Sequence, residues 1–409
     1  MQLNHEIKST EELLNHFGSS QKLEIRDSEQ MKKLQEMNIQ PEVWENASNR
    51  NLLSFNQKFI KQTNEFTFNY RKIEYIYLIS FLTNLTELNL SGNKISDVSS
   101  ISKLKNLKKL YLESNCIEDI SALQSLHDLT HLYLSCNKLT SYTLVLPNLV
   151  QLLLGGNKLI NKFGLQHSPK LESQYLFKTE TTDLRIIPHQ LFGLKVLYLS
   201  ENNLTEISHL SNFIDLQSLH LDYNKQLQNI GPLKFCTQLT ELIIHDTSVA
   251  DIWPLQFQKN LKTLIMAQTK VVDLHPLQNL YRLEKISAYD ACIIDICSLS
   301  KLTQLKELNF RNNKITNADS LKHHDNFSKY NFSHQEVPTP DELTFYNKIL
   351  SVHNSQKQIR KIQYEKSVPK FRESMTHQRE YINLKINEQI QVINKKIEII
   401  FSQNSYADQ

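Results

Sequence analysis

From Leu85 to Ile315, apolar residues return at fixed places in a unit of close to 22 residues. The clearest copy is LTELNLSGNKI, Leu85–Ile95, with the skeleton L-x-x-L-x-L-x-x-N-x-I. Within it Leu88, Asn89 and Leu90 alternate with a period of two, which predicts a short strand with one buried face. Copies start at Leu85, Leu107, Leu129, Leu149, Leu171, Leu194, Leu216, Leu239, Leu261, Leu283 and Leu305. Further apolar residues follow each turn, in the second copy Ile117, Ile120, Leu123 and Leu126. No single unit can bury such a face alone. The units must therefore stack, one parallel strand from each, around a shared core.

The flanks are less regular. Phe66 and Phe68 lie 22 residues before Leu88 and Leu90 and mark a first, aromatic-filled unit from about residue 63. Residues 1–62 read as a cap or as degenerate repeats, which a stack needs to cover its open end. Their signals are Thr10 as a helix N-cap, a strand-like Leu23/Ile25 alternation, and Met31, Leu34 and Met37 at helical spacing. The solenoid is expected over 63–325, a closing cap and linker over 326–340, and a helical tail over 341–409. Thr339-Pro340-Asp341-Glu342 is a helix start with Pro at the first helical position. Phe345, Ile349, Val352, Gln356 and Ile359 then step 4-3-4-3, and Val368-Pro369 breaks the helix. Ile386, Ile390, Ile393, Ile397 and Ile400 repeat that spacing, the seam of a coiled coil. Two readings stay open: a tail folded on itself or on the last repeats, or a tail that self-associates or binds a partner helix.

Two polar columns run through the repeats. Asn93, Asn115, Asn137, Asn157, Asn202, Asn224 and Asn313 occupy the turn, where an amide can satisfy backbone groups of neighbouring turns. Thr179, Thr247, Thr269 and Ala291 replace it, so the stretch 239–300 should be a weaker part of the ladder. Asp97, Asp119, Asp183, Asp251, Asp273 and Asp295 come four residues after the turn position and read as caps of short helical turns, not as metal ligands.

Units of this length ending N-x-I-x-D-I-x-x-L-x-x-L resemble the SDS22-like class of leucine-rich repeats, which includes a regulatory subunit of protein phosphatase 1; bacterial internalins carry similar units. The resemblance covers about residues 63–325. It implies an α/β solenoid, a leucine-rich-repeat horseshoe with a parallel concave sheet and short convex helical turns. It also implies a scaffold that binds a protein, with a phosphatase catalytic subunit as one candidate. A shared repeat type does not by itself transfer a partner.

In such a fold the residues between the strand leucines face outward on the concave sheet. Read unit by unit they give Asn89, Tyr111, Tyr133, Leu153, Tyr175, Tyr198, His220, Ile243, Ile265, Ser287 and Asn309. Tyr111, Tyr133, Leu153, Tyr175, Tyr198, His220, Ile243 and Ile265 form the expected partner-binding stripe, since Tyr is enriched at interfaces. Stacking of the tyrosines along the ladder for stability is the competing reading. His220 with Asp222, and His245 with Asp246 one unit on, could form a metal or acid–base cluster but read as a polar contact surface, with no third group to orient them.

Composition narrows the rest. Charged residues make up 22% and the net charge is only +3, too mild to imply nucleic acid. Five cysteines, odd in number and irregularly spaced, fit reduced thiols. Cys236 stands at a core position, and Cys116 and Cys136 flank turns of adjacent units. There is no phosphate-binding glycine loop, no secretory leader pattern, and no apolar run of the roughly 20 residues a bilayer needs. The expectation is a non-enzymatic scaffold without cofactor, acting in the cytoplasm, with the nucleus also open. Two alternatives accompany it: a structural component of a cytoskeletal or axonemal assembly anchored by the tail, and a surface adhesin of internalin type.

Overall fold

The computed structural model describes residues 22–24, 64–159 except 71, 75, 77, 78 and 81, then 168–349, and separate positions between 351 and 380. The chain divides into two compact units. The first comprises residues 1–188 and 196–203, and the second 189–195 and 204–409. The expected helix at Thr10, the Met31 spacing, the positions of Val352, Gln356 and Ile359, and the seam from Ile386 to Ile400 lie outside the described residues.

In the first unit the strands are β1 (Lys22–Glu24), β2 (Glu65–Thr67), β3 (Glu87–Asn89), β4 (Lys109–Tyr111), β5 (His131–Tyr133), β6 (Gln151–Leu153), β7 (Ser173–Tyr175) and β8 (Val196–Tyr198). Each pairs in parallel with its neighbour in sequence, Leu23 with Phe66, Phe66 with Leu88, Leu88 with Leu110 and so on. The second unit repeats the arrangement with β9 (Ser218–His220), β10 (Glu241–Ile243), β11 (Thr263–Ile265), β12 (Lys285–Ser287) and β13 (Glu307–Asn309). Every strand is three residues long, and in nine of them the middle residue is buried between two half-buried ones. That is the period of two read from the sequence.

The return leg of most repeats is a 3-10 turn such as Ser99–Lys103, Ser121–Ser125 or Gly231–Phe235. The aspartates begin these turns. Asp97, Asp119, Asp251, Asp273 and Asp295 each accept the backbone N–H of the turn's first residue at 2.8–2.9 Å. Asp183 accepts from Arg185 in the same way. Of the six, only Asp183 is itself the N-cap; the other five stand one residue before it and close an Asx-type turn into the 3-10 segment, so the capping reading holds at one position.

The asparagines hold adjacent turns together. Asn115 accepts the N–H of Ile95 at 3.0 Å and donates to the carbonyls of Leu90 and Leu112, both at 3.0 Å. Asn93, Asn137, Asn157 and Asn313 do the same one unit apart, reaching back about 25 residues with one hand and three with the other. The hydroxyls of Thr247 and Thr269 make only the local bond, to Ile244 and Met266. The substitution therefore removes the tie between units and keeps the one within the turn.

A conformational constraint comes with this column. The residue just before the turn position is left-handed in both units: Ser114, Cys136, Lys178, Glu201, Tyr223, Asp246, Gln268, Asp290 and Asn312 have φ between +51° and +59°. Gly92 and Gly156 take the same place with φ +70°, where glycine carries no steric cost. At Gly92 the close approach of the Tyr70 ring also leaves no room for a Cβ.

The ladder continues one repeat beyond Leu305, into residues read as linker. Asn331 bridges to Asn309 in parallel. Gln335 does the asparagine's work, accepting the N–H of Ile315 at 2.9 Å and donating to Phe310 at 2.8 Å. His334 before it is left-handed, φ +55°. The aromatics Tyr330 and Phe332 and the amide Gln335 hide this repeat from a search for leucine and asparagine.

After it, the Thr339 hydroxyl accepts the Glu342 N–H and the Glu342 carboxylate accepts the Thr339 N–H, a capping box that opens the helix from residue 340. The Lys314 ammonium on the Glu342 carboxylate, with the Thr339 bonds, pulls its pKa down to about 2. Described positions of this segment pack on the turn side of the second unit. Tyr346 and Ile349 pack with Val272 and Ile294, the Tyr364 ring stacks on Phe257, and Phe371 meets Phe192, Ile214 and Phe235. Phe345, placed on the packing seam by its spacing, is 59% exposed; Tyr346 is buried instead. The receiving positions are apolar here, whereas Lys105 and His127 stand at two of the places in the first unit that match Phe192 and Ile214. Residues 364–366 and 369–371 are helical on either side of the expected break at Val368-Pro369, and position 368 lies outside the description.

Two outcomes follow for stability. Asn137→Ala should lower the denaturation midpoint far more than Thr269→Ala: the first loses about three bonds and strands buried backbone groups, about 3 kcal/mol, the second one bond of about 1 kcal/mol. Equal losses in urea titrations would contradict the ladder. Tyr364→Ala with Phe371→Ala should speed hydrogen exchange in the segment 340–371 while leaving strands β2–β8 unchanged; unchanged exchange in that segment would show that the aromatic contacts do not hold it.

Candidate partner-binding surface

The outward positions of the strands place each residue of the expected stripe. In the first unit Tyr111, Tyr133, Leu153, Tyr175 and Tyr198 stand in register on neighbouring strands, all half-buried. Tyr111 and Tyr133 stack face to face, ring centroids 4.4 Å apart and planes 8° apart. Tyr175 and Tyr198 meet edge to face at 4.6 Å. The Tyr133 hydroxyl donates to Gln151 Oε1 at 3.1 Å. The tyrosines thus stabilise one another, and their exposed remainders form an apolar band with hydroxyls along it. In the second unit His220, Ile243 and Ile265 take the equivalent places.

Neighbouring columns supply charge that the single-column reading missed. On one side of the tyrosines stand Glu65, Glu87, Lys109 and His131; on the other, Ser91 and Glu113. The Lys109 ammonium lies 3.2 Å from Glu87, and the Ser91 hydroxyl donates to Glu113 at 2.7 Å. Partial burial, followed by the charges of Glu87 and Glu113, raises the Tyr111 pKa. Partial burial, then Tyr111 and Glu113, pushes that of Tyr133 up to about 12. Burial and the nearby Lys109 lower the His131 pKa, so that imidazole is held neutral. Tyr70, 74% exposed, lies over Gly92 at the edge of the same face. Reading every outward offset of the repeat, rather than one, would have found these residues.

The His/Asp cluster resolves into pairwise contacts. His220 Nε2 lies 3.3 Å from Glu241, which also accepts from Ser218. His245 faces the carbonyl of Ala267 and the ring of Tyr223. Among the described residues no group of three or more His, Cys, Asp or Glu is placed to hold a metal. The five cysteines are free thiols; Cys236 is buried and donates to the Leu210 carbonyl. Gln174, by contrast, occupies a strand-core leucine place and is fully buried, with neither end of its amide hydrogen-bonded to the protein; nothing in the structure explains it. No helix among the described residues is long and apolar enough to cross a membrane.

The tyrosine pair carries a pH signature. Tyr133 ionises near pH 10 when unfolded and only at about 12 in the fold. Its raised pKa contributes stability that is fully present below the unfolded value and lost as pH rises from there toward the folded one. Tyr133→Phe should therefore move the alkaline unfolding midpoint to higher pH, read by circular dichroism. An unchanged midpoint would mean that the ring pair is not shielded as described.

The profile for leucine-rich repeats in two copies matches residues 83–125 and 193–235. Among solved structures, an internalin of Listeria monocytogenes is 30% identical, over 68% of this chain and 75% of that one, with a TM-score of 0.55. A leucine-rich-repeat protein of Leptospira interrogans is 23% identical, over 71% and 83% of the two chains, with a TM-score of 0.56. The functional domain of another Listeria monocytogenes protein, InlJ, which includes a cysteine ladder, is 23% identical over 64% and 57%, with a TM-score of 0.54. No curated protein matches the chain in sequence. With its strand-and-turn ladder and a relative of this identity and coverage, the chain belongs to the leucine-rich-repeat family, with internalin-like solenoids as its structural neighbours.

Proposed function

We propose that this protein is a non-enzymatic scaffold that binds a partner protein on the outer face of its strands, chiefly through Tyr111, Tyr133, Leu153, Tyr175 and Tyr198. The observation that carries the reading is the row of half-buried tyrosines in register on adjacent strands. Such rings supply large contact area at small entropic cost and keep a hydroxyl for a polar partner. His220, Ile243 and Ile265 offer the second unit's contribution on its own outward face. The packing of Tyr346, Tyr364 and Phe371 on the second unit supports an adaptor over a tail-anchored structural component. Because the repeats resemble the SDS22-like class, a phosphatase catalytic subunit is the first purified bait to offer, and the cytoplasm the first extract.

A second reading, an adhesin of internalin type, draws on the 30% identity to an internalin. Recovery of the protein from the cell surface would favour it.

The test is affinity capture from the native extract with the full chain and with the Tyr111→Ala/Tyr133→Ala/Tyr198→Ala variant. The expected result is a partner held by the wild type and lost, by about tenfold or more, with the variant, since interface tyrosines contribute about 1–2 kcal/mol each. A partner retained by the folded variant would sink the stripe.

A further inference from the structure

The outer face of the first unit is uneven at its early end. Thr67, Asn89 and Ser91 are short, so the face dips over β2 and β3, while the Tyr70 ring covers the Gly92 backbone at the edge. Tall residues surround the dip. Tyr111 stands on the next strand, with its partner Tyr133 stacked behind it. Tyr70 lies along the loop edge, largely exposed. Glu65 and Glu87 line the opposite edge, and Glu113 reaches in from the third repeat to the Ser91 hydroxyl. Beyond it the backbone of β1 sets Lys22 beside Glu65 and Glu24 beside Thr67.

The charges of Glu87, Glu113 and Glu65 all reach the Tyr111 hydroxyl and raise its pKa, behind the larger effect of partial burial. Three carboxylates thus converge on one aromatic step. Lys109 on this rim is engaged with Glu87, and His131 is held neutral. Neighbouring strands lie about 4.8 Å apart, so a dip two strands wide matches a planar guanidinium with its stem.

We propose that this cup receives an arginine side chain of the partner protein. The guanidinium lies against the Tyr111 ring and donates to Glu113 and Glu87. Aromatic faces attract cations through the ring quadrupole, and arginine adds planar stacking and forked donors that lysine lacks. The inference rests on the reading that this face binds a protein, and it names the chemistry of one contact.

The experiment titrates the full chain at low ionic strength with a fluorescent heptaarginine peptide, and in parallel with heptalysine and the neutral heptacitrulline. Variants are Tyr111→Leu, Glu87→Gln/Glu113→Gln, and Tyr281→Leu as a control outside the stripe, each checked by thermal unfolding. Heptaarginine should bind more tightly than heptalysine, and heptacitrulline should not bind. Tyr111→Leu should weaken heptaarginine by about fivefold and heptalysine less. The double glutamine variant should weaken both by about fivefold, and Tyr281→Leu should weaken neither. Binding unchanged in both cup variants, or equal binding of heptacitrulline, overturns the proposal, and so does a heptaarginine peptide that fails to bind. These outcomes separate from capture. A partner lost with the triple tyrosine variant while the cup variants bind the probe normally removes the cup and keeps the stripe. A cup that behaves as expected with no partner captured does the reverse.

Discussion

The structure depends on one repeated problem and its solution: backbone N–H and C=O groups at each turn are buried with no ladder partner. In most repeats a single amide solves it by tying its own turn to the one before, as Asn115 does with Ile95, Leu90 and Leu112. A buried unpaired backbone group costs about as much as a lost hydrogen bond or more. The amide thus ties one repeat to the next, and where Thr247 or Thr269 stands in, the side chain keeps only the bond within its own turn. The turn itself sets the residue before it in a left-handed conformation, a strained state for most side chains, whether Asn, Thr or Ala follows. Only Gly92 and Gly156 avoid that strain; elsewhere it falls on residues as varied as Ser114, Cys136, Lys178, Tyr223 and Asp290.

That rigid ladder positions the outward side chains. Because each strand is short and in register with the next, residues 22 positions apart become neighbours, and a column of tyrosines distant in sequence becomes one face. The apolar half of each ring gains from its neighbour, while the other half stays available. The same rigidity places carboxylates around Tyr111 without any local sequence clustering of charge.

Much of this was legible from spacing. The period of the leucines marked the strands and the asparagine column the ties; the aspartate column marked the start of the 3-10 turns, with only Asp183 itself a cap. Phe66 announced the first aromatic repeat because its offset to Leu88 matched. What stayed hidden obeys the same geometry with other residue types. Gln335 replaces asparagine with one more methylene and still reaches Phe310 and Ile315, but no leucine-based count finds it. The spacing that starts at Phe345 placed Ile349 on the packed face but missed Tyr346, which is buried where Phe345 is exposed, because the helix follows the apolar row of the repeats. The cup at Thr67, Asn89 and Ser91 was invisible for a different reason: it is defined by small side chains, and hydrophobic periodicity does not register them.

The measurement that tests the central claim most directly is hydroxyl-radical footprinting of the captured complex, read tyrosine by tyrosine. The account predicts strong protection of Tyr111, Tyr133, Tyr175 and Tyr198 on binding, with Tyr281, 54% exposed on the turn side of the second unit, reacting as in the free protein. Protection confined to Tyr281 or to the segment 340–371, with the strand tyrosines unchanged, would contradict it and move recognition to the turn side.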